Sequence, residues 1–373
     1  MVTPVSIVAG ETSNFKRKSN LSIHQLAVEP VIKLFKNNPH LKDITIDAVI
    51  LSSCSEEQYL SSIVSELLGL KPKISNRLDN LCNSGTNAIS TAYSYIASGL
   101  CNSVLVIGVE KSDTSGKVHK HDLSRGEFVS PLYWGSIFKK FYQKKYNVKD
   151  EQIAKVSVKN YNNGRKNINS IFYGYKKIDI EDVLNSRLLV GTLRLLECSL
   201  LCDGASAILL TKSDYLKDVN PHNKVEIIGI GQQTNAASFG NIVSEIFESG
   251  PAKLAARQAF NMAKVNPKDL DVIEVHDAFS ILEIMAYEDL NLVKKGEGYK
   301  YVTNNNIHTN VRGGILGCGH PLGATGIDQT VEIFKQLTGT NGKRQIKEKC
   351  NIGLIHNLAA AGTSASCIIL KNI

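Results

Sequence analysis

Residues 80–108 read NLCNSGTNAISTAYSYIASGLCNSVLVIG. Ser103–Gly108 is apolar on both faces, the pattern of a strand buried inside a parallel sheet. The alanine-rich segment before it, Asn87–Ser98, is helical, and Gly99 stops it. Turn, helix and doubly buried strand in this order make one unit of an α/β fold.

The same alternation continues in both directions. Upstream, Val5–Ala9 and Asp47–Leu51 are strand runs, and Ser22–Lys36 and Ser61–Leu68 have helical spacing. Downstream, Val225–Ile230, Asp271–Val275, Asn351–Ile355 and Ala365–Leu370 are strands. Pro251–Ala263, Ile281–Leu290 and Gly326–Leu337 are helices, the first opening on a proline suited to a first turn. The β-α-β-α order occurs twice with little identity between its copies, so the chain reads as a duplicated α/β fold. Residues 1–220 form the first half and 221–373 the second. Lys111–Lys177, rich in Lys, Asn, His and Tyr, departs from this order. With helical stretches such as Glu151–Tyr161 it reads as an inserted lobe, about 111–190, of the kind that covers an active site. Leu193–Ser199 and Asp203–Leu210 return the chain to the first half.

The bulk properties agree with a globular enzyme of about two domains. The 373 residues are 43% hydrophobic and 21% charged, which excludes a disordered or fibrous chain. A formal net charge of +8 is spread over lysines without an arginine-rich tail. It reads first as a solvated basic surface, then as attraction for a polyanionic small ligand, and last as nucleic-acid binding. Eight cysteines lack any Cys-x-x-Cys pair and several lie in apolar runs, which fits free thiols in a reducing compartment. No run is long enough to span a membrane, and the N-terminal segment lacks the features of a signal peptide. A cytoplasmic location is expected.

Four segments carry reactive side chains. Cys82 sits in a turn opening a helix, where free N–H groups and the helix dipole favour a thiolate. The bland alternative is a buried structural cysteine. Gly313–Gly326 (GGILGCGHPLGATG) is a glycine-rich turn before a helix, without the Gly-Lys-Ser/Thr of a phosphate loop, and reads as a turn that fixes His320. His276 and His356 follow the ends of strands, where ligands gather in open α/β sheets. A zinc site from these groups is conceivable on paper, but metal-ligand spacing is absent, and none is expected.

Taken together, the motifs resemble the thiolase family over nearly the full length. The blocks are NLCNSGTNAISTAYSYIASGLCNSVLVIGVEKSD, VKNYNNGRKN, LRLLECSLLCDGASAILL, EVHDAFSILEIMAYEDL, GGILGCGHPLGATG and HNLAAAG. HDAF and HN are similar to the archaeal and sterol-carrier-linked branch, nearest to archaeal acetoacetyl-CoA thiolases. The resemblance implies two similar α/β halves in alternating α-β-α-β-α layers, with the inserted lobe on top. It implies Claisen condensation of acetyl-CoA, or thiolysis in reverse. Cys82 would carry the acyl group, His320 would handle its proton, and His276 would share the oxyanion site. The backbone of Cys82 and Gly362 would hold the acyl oxygen, with Asn357 also at the substrate. Coenzyme A enters as substrate and no further cofactor is implied.

The chain departs from the common pattern at the second acid/base. The late cysteine is replaced by His356, and the HDAF block carries Ala278. Cys318, beside Gly319 and His320, is the favoured α-proton base, with His356 as its rival. The resemblance further implies a homodimer or dimer-based homotetramer. Partners would be a zinc-ribbon/OB-fold acyl-CoA-associated protein and hydroxymethylglutaryl-CoA synthase. The alternatives are a thiolase-fold acyltransferase or carbon–carbon lyase for a larger acyl group, and a non-catalytic scaffold subunit.

Overall fold

A computed structural model describes residues 3–114, 130–215, 224–235, 246, 248–303, 306–359 and 362–373. The first half contains β1 (Val5–Thr12), α1 (Ile23–Asn37), β2 (Ala48–Ser52), α2 (Leu60–Leu67), β3 (Ile74–Leu78), α3 (Ser84–Ala97) and β4 (Ser103–Glu110). The lobe adds α4 (Pro131–Tyr146), α5 (Asp150–Gly164), α6 (Ile180–Leu184) and a ribbon of β5 (Leu188–Val190) and β6 (Leu193–Arg194); β7 (Gly204–Lys212) then closes this half. The second half runs β8 (Val225–Thr234), α7 (Gly250–Ala263), β9 (Val272–Glu274), α8 (Ser280–Asp289), α9 (Gly298–Tyr301), β10 (His308–Thr309), α10 (Leu322–Thr338), β11 (Ile352–Ala359) and β12 (Ser364–Asn372).

Among the described residues, ten strands form one sheet in the order β10-β9-β11-β12-β8-β1-β7-β4-β2-β3. Each half repeats the same wiring. In the first, β3, β2 and β4 are parallel, and β7 and β1 follow antiparallel. In the second, β10, β9 and β11 are parallel, and β12 and β8 follow antiparallel. The duplication read from element order is therefore a duplication of topology. The halves join where β1 meets β8 through Ser6–Glu226 and Ile7–Val225. The boundary expected at residue 220 lies outside the described residues.

Strand alternation distributes the core over both sheet faces. In β2, Ile50 points to one core while Val49 and Leu51 point to another. The outer core of the first half packs Leu26, Val31 and Leu34 of α1 on Val49, Leu51 and Leu105. The central core joins Ala88, Ile89 and Ile96 of α3 and Ile327 and Val331 of α10 to strands of both halves, among them Val106 and Ile355. The outer core of the second half packs Ala255 and Ala259 of α7 and Ile284 of α8 on Ile273 and Ile369. This yields the expected α-β-α-β-α layering, with α3 and α10 as the central layer.

Four elements differ from the sequence reading. Edge strands β3 and β10 were not expected, because one is half-exposed and mixed in polarity and the other is two residues long. Helix α3 begins at Ser84 rather than Asn87. Helix α10 begins at Leu322, so Gly323 and Gly326 lie inside it rather than in the preceding turn.

Those glycines are there for close approach. A Cβ on Gly326 would stand 2.8 Å from the Thr86 nitrogen, and one on Gly85 3.0 Å from the Ile327 nitrogen. A Cβ on Gly108 of β4 would stand 2.6 Å from Ala324 Cα and from the Gly323 oxygen. The two central helices and β4 thus touch backbone to backbone, leaving no room for a side chain. Gly108→Ala is expected to lower unfolding stability by about 1–3 kcal/mol, the usual range for overpacking. Urea denaturation of the variant measures this, and an unchanged midpoint would mean that α10 has slack against β4.

Candidate active site

The turn that presents Cys82 is strained and pinned. Leu81 holds φ +49°, a left-handed conformation that costs energy for a residue with a branched side chain. Ser84 Oγ donates to the Leu81 carbonyl at 2.6 Å and accepts from the Asn80 N–H at 2.7 Å, closing the turn. Asn80 and Asn83 each donate to Ser364 Oγ at 3.0 Å, which ties the turn to β12 of the other half.

Of the eight cysteines, all free, Cys82 alone is not buried. Burial of its sulfur nevertheless dominates, and with Glu110 and Asp79 nearby it outweighs the thiol's own backbone N–H, pushing the thiol up to about 12. The helix start does not produce the resting thiolate expected from sequence. Cys82 needs a base to become a nucleophile.

Two imidazoles stand beside it. The Cys82 sulfur and one ring nitrogen each of His276 and His320 all lie within 4.8 Å of one another. The two rings meet edge to face, centroids 5.7 Å apart. Thr325 Oγ1 lies 2.8 Å from His320 Nδ1 and 3.3 Å from the Pro321 carbonyl; in donating to that carbonyl it accepts the hydrogen bond of Nδ1–H. This tautomer leaves the Nε2 lone pair of His320, which has no protein partner, free to accept a proton.

His276 and His356 are also buried, with Nδ1 of His276 and both ring nitrogens of His356 without protein partners. Burial holds His320 near 3, with Arg312 adding to the effect, and His356 near 4. Burial and then the neighbouring His320 and His356 hold His276 well below its ordinary value. Three neutral imidazoles therefore share the pocket, equipped to accept protons and to hydrogen-bond a developing oxyanion.

Helix α10 organises this cluster from one face. Thr325 orients His320, and one turn later Gln329 accepts from the Asn357 amide. The Gln329 amide in turn donates to the Val275 carbonyl at 3.4 Å, next to His276. Asp277 fixes the glycine-rich turn: its carboxylate accepts from the N–H of Ile315 at 2.6 Å and of Leu316 at 3.2 Å. The Asn160 amide of α5 donates to the same carboxylate at 2.6 Å. The lobe thus reaches the site as a brace, and any side chain on its Gly164 would overlap the Gly317 carbonyl. Sequence reading missed Thr325, Gln329 and Asn160. The four-residue spacing of the first two, just beyond the His320 turn, was the available signal.

The structure places Cys318 apart from this group. Its thiol is buried, donating to the Arg312 carbonyl at 3.0 Å and accepting from the Asn167 amide at 3.5 Å. It does not join the group formed by Cys82, His276 and His320, and burial pushes it up to about 12. Adjacency in sequence to His320 does not bring it to the reacting centre, because Gly319, at φ +99°, turns the chain between them. Gly362 lies just after β11 at φ +82°, and its carbonyl accepts from Ser249 Oγ at 3.3 Å. Asn357 stands beside His356 with its Oδ1 unpartnered by protein. Ala360 and Ala361 of the HNLAAAG block lie outside the described residues.

Two family models match the chain: Thiolase, N-terminal domain, over residues 5–214, and Thiolase C-terminal domain-like, over residues 235–372. An acetyl-CoA acetyltransferase of Methanothermobacter thermautotrophicus is 33% identical over 350 residues, covering 87% of this chain and 88% of that protein. Sterol carrier protein 2 of Oryctolagus cuniculus is 32% identical over 313 residues, covering 77% of this chain and 56% of that protein. The solved Ltp2-ChsH2(DUF35) aldolase superposes with a TM-score of 0.87 at 20% identity, covering 100% of this chain and 98% of that one.

Two measurements check this geometry. Thr325→Val removes one neutral hydrogen bond, worth about 0.5–1.5 kcal/mol, so the rate of Cys82 alkylation by iodoacetamide should fall roughly two- to tenfold. In NMR titrations, His320 and His356 should stay neutral from about pH 8 down to about pH 5, whereas an unperturbed histidine titrates near 6.5. The sign follows from burial: the folded chain resists protonation there, so these histidines lower its stability as pH falls below the unfolded value.

Proposed function

Because this chain belongs to the thiolase family, we propose that it is an acyltransferase that condenses two acetyl-CoA molecules to acetoacetyl-CoA, or runs the thiolytic reverse. The convergence of the Cys82 thiol with His276 and His320 carries this reading. Nε2 of His320 takes the thiol proton as the sulfur attacks the acetyl thioester, and returns it to the departing coenzyme A sulfur. A second acetyl-CoA then gives up an α-proton to a base, its enolate oxygen held by an imidazole N–H of His276. The enolate carbon attacks the acetyl-Cys82 carbonyl, and the cysteine sulfur leaves and takes up the proton that the base removed from the α-carbon. The backbone N–H groups of Cys82 and Gly362 are assigned to the acyl oxygen. Coenzyme A is a substrate here, and no other cofactor enters the scheme.

With the Cys318 thiol engaged by Arg312 and Asn167, the α-proton base is assigned to His356, whose ring nitrogens are both available. A homodimer or dimer-based tetramer, the 220/221 division into halves, and a zinc-ribbon/OB-fold partner or hydroxymethylglutaryl-CoA synthase complete the reading. No helix among the described residues is long and apolar enough to cross a membrane.

One observation favours a second reading, a carbon–carbon lyase acting on a larger acyl group. Ala278 stands in the HDAF block, and Cys82 is the only thiol in the cluster among the described residues. The two readings separate on covalent chemistry. Incubation with acetyl-CoA followed by peptide mass mapping should place an acetyl group on Cys82, and Cys82→Ser should abolish thiolysis of acetoacetyl-CoA. A chain that is never acylated but still cleaves a β-hydroxyacyl thioester would favour the lyase.

The base is tested separately. His356→Ala should still accept the acetyl group, yet exchange acetyl-CoA methyl hydrogens with deuterated water about 10²–10⁴-fold more slowly, the range for a lost general base. Normal exchange in His356→Ala together with lost exchange in His276→Ala would move the role to His276.

A further inference from the structure

Cys82, His276 and His320 come from three distant segments, and no sequence spacing announces them as a set. Their sulfur and two ring nitrogens nevertheless lie within 4.8 Å of one another in a largely buried pocket. Tetrahedral zinc, with bonds of about 2.3 Å to sulfur and about 2.0–2.1 Å to nitrogen, requires ligand separations of roughly 3.3–3.6 Å. Binding would draw the three atoms together by at most about 1.5 Å. His320 is already oriented through its other nitrogen by Thr325 at 2.8 Å, as ligating histidines are. Its Nε2 has no protein partner. The Glu110 and Asp79 carboxylates lie near enough to the Cys82 sulfur to act on it, while the Arg312 guanidinium acts on His320 from the other side.

We propose that Cys82, His276 and His320 form a reversible inhibitory site for a thiophilic divalent cation of the zinc class. One thiolate and two imidazoles fill three tetrahedral positions, and water or a small anion takes the fourth. On binding, the sulfur gives up its proton to solvent and forms a bond to the metal. A metal-bound Cys82 cannot attack a thioester, and an acetylated Cys82 cannot bind metal, so metal and acyl donor exclude each other. The ion has no role in turnover. The inhibitory consequence rests on the proposed role of Cys82 as nucleophile, whereas the binding itself does not.

The probe is cobalt(II) added to the chelator-treated full chain, followed by electronic absorption. Expected are one ion per chain, tetrahedral d–d bands and a thiolate-to-cobalt charge-transfer band. Cys82→Ala should abolish the charge-transfer band, and His276→Ala should weaken cobalt binding at least tenfold, with circular dichroism confirming that both variants fold. Pre-incubation with acetyl-CoA should block the band, and zinc should suppress thiolysis until a chelator restores it. Absence of the band from the native chain, or its survival in Cys82→Ala, would overturn the proposal. Thiolysis measured in chelator reports on the proposed function independently, so failure of one reading is distinguishable from failure of the other.

Discussion

Backbone-to-backbone packing of the two central helices is the constraint on which the site depends. Helix α3 carries Cys82 at its entry, and α10 carries His320 just before its own. Each helix belongs to a different half, so the Cys82 thiol and the His320 imidazole meet only if the helices nearly touch. Gly85 and Gly326 allow that approach, and Gly108 lets β4 close on Gly323 and Ala324. A methyl group at any of these contacts would push the elements apart by a distance that matters for proton transfer between sulfur and imidazole.

Around this contact, polar side chains convert rigid packing into orientation. Thr325 sets the tautomer of His320, Gln329 links Asn357 to the strand end before His276, and Asp277 clamps the glycine-rich turn with help from Asn160. Their partners are buried, so each lost bond would leave a polar group without water to replace it. The two halves and the lobe are therefore coupled at the site, even though the sheet joins the halves through only two residue pairs of β1 and β8.

Burial also decides the charge states. Desolvation favours neutral histidines and a protonated Cys82 thiol, so these four groups do not pair as ions at rest. A proton must move as chemistry begins, and a cation that displaces that proton would compete with substrate for the same sulfur.

The sequence by itself determined the α/β class, the duplication and the segments that supply Cys82, His276, His320 and His356. These depend on local periodicity and on turn residues, which a linear reading can see. Only the tertiary structure decided that α10 starts at Leu322, that Thr325 meets His320 and Gln329 meets Asn357, and that Cys318 lies outside the group of Cys82, His276 and His320. Gly319 turns the chain between Cys318 and His320, so neighbours in sequence face different partners. Conversely, Cys82, His276 and His320 converge from across the chain because strand ends and helix starts of both halves gather at one place. Side-chain direction after a turn, and distance between segments far apart in sequence, are set by packing and carry no local signature.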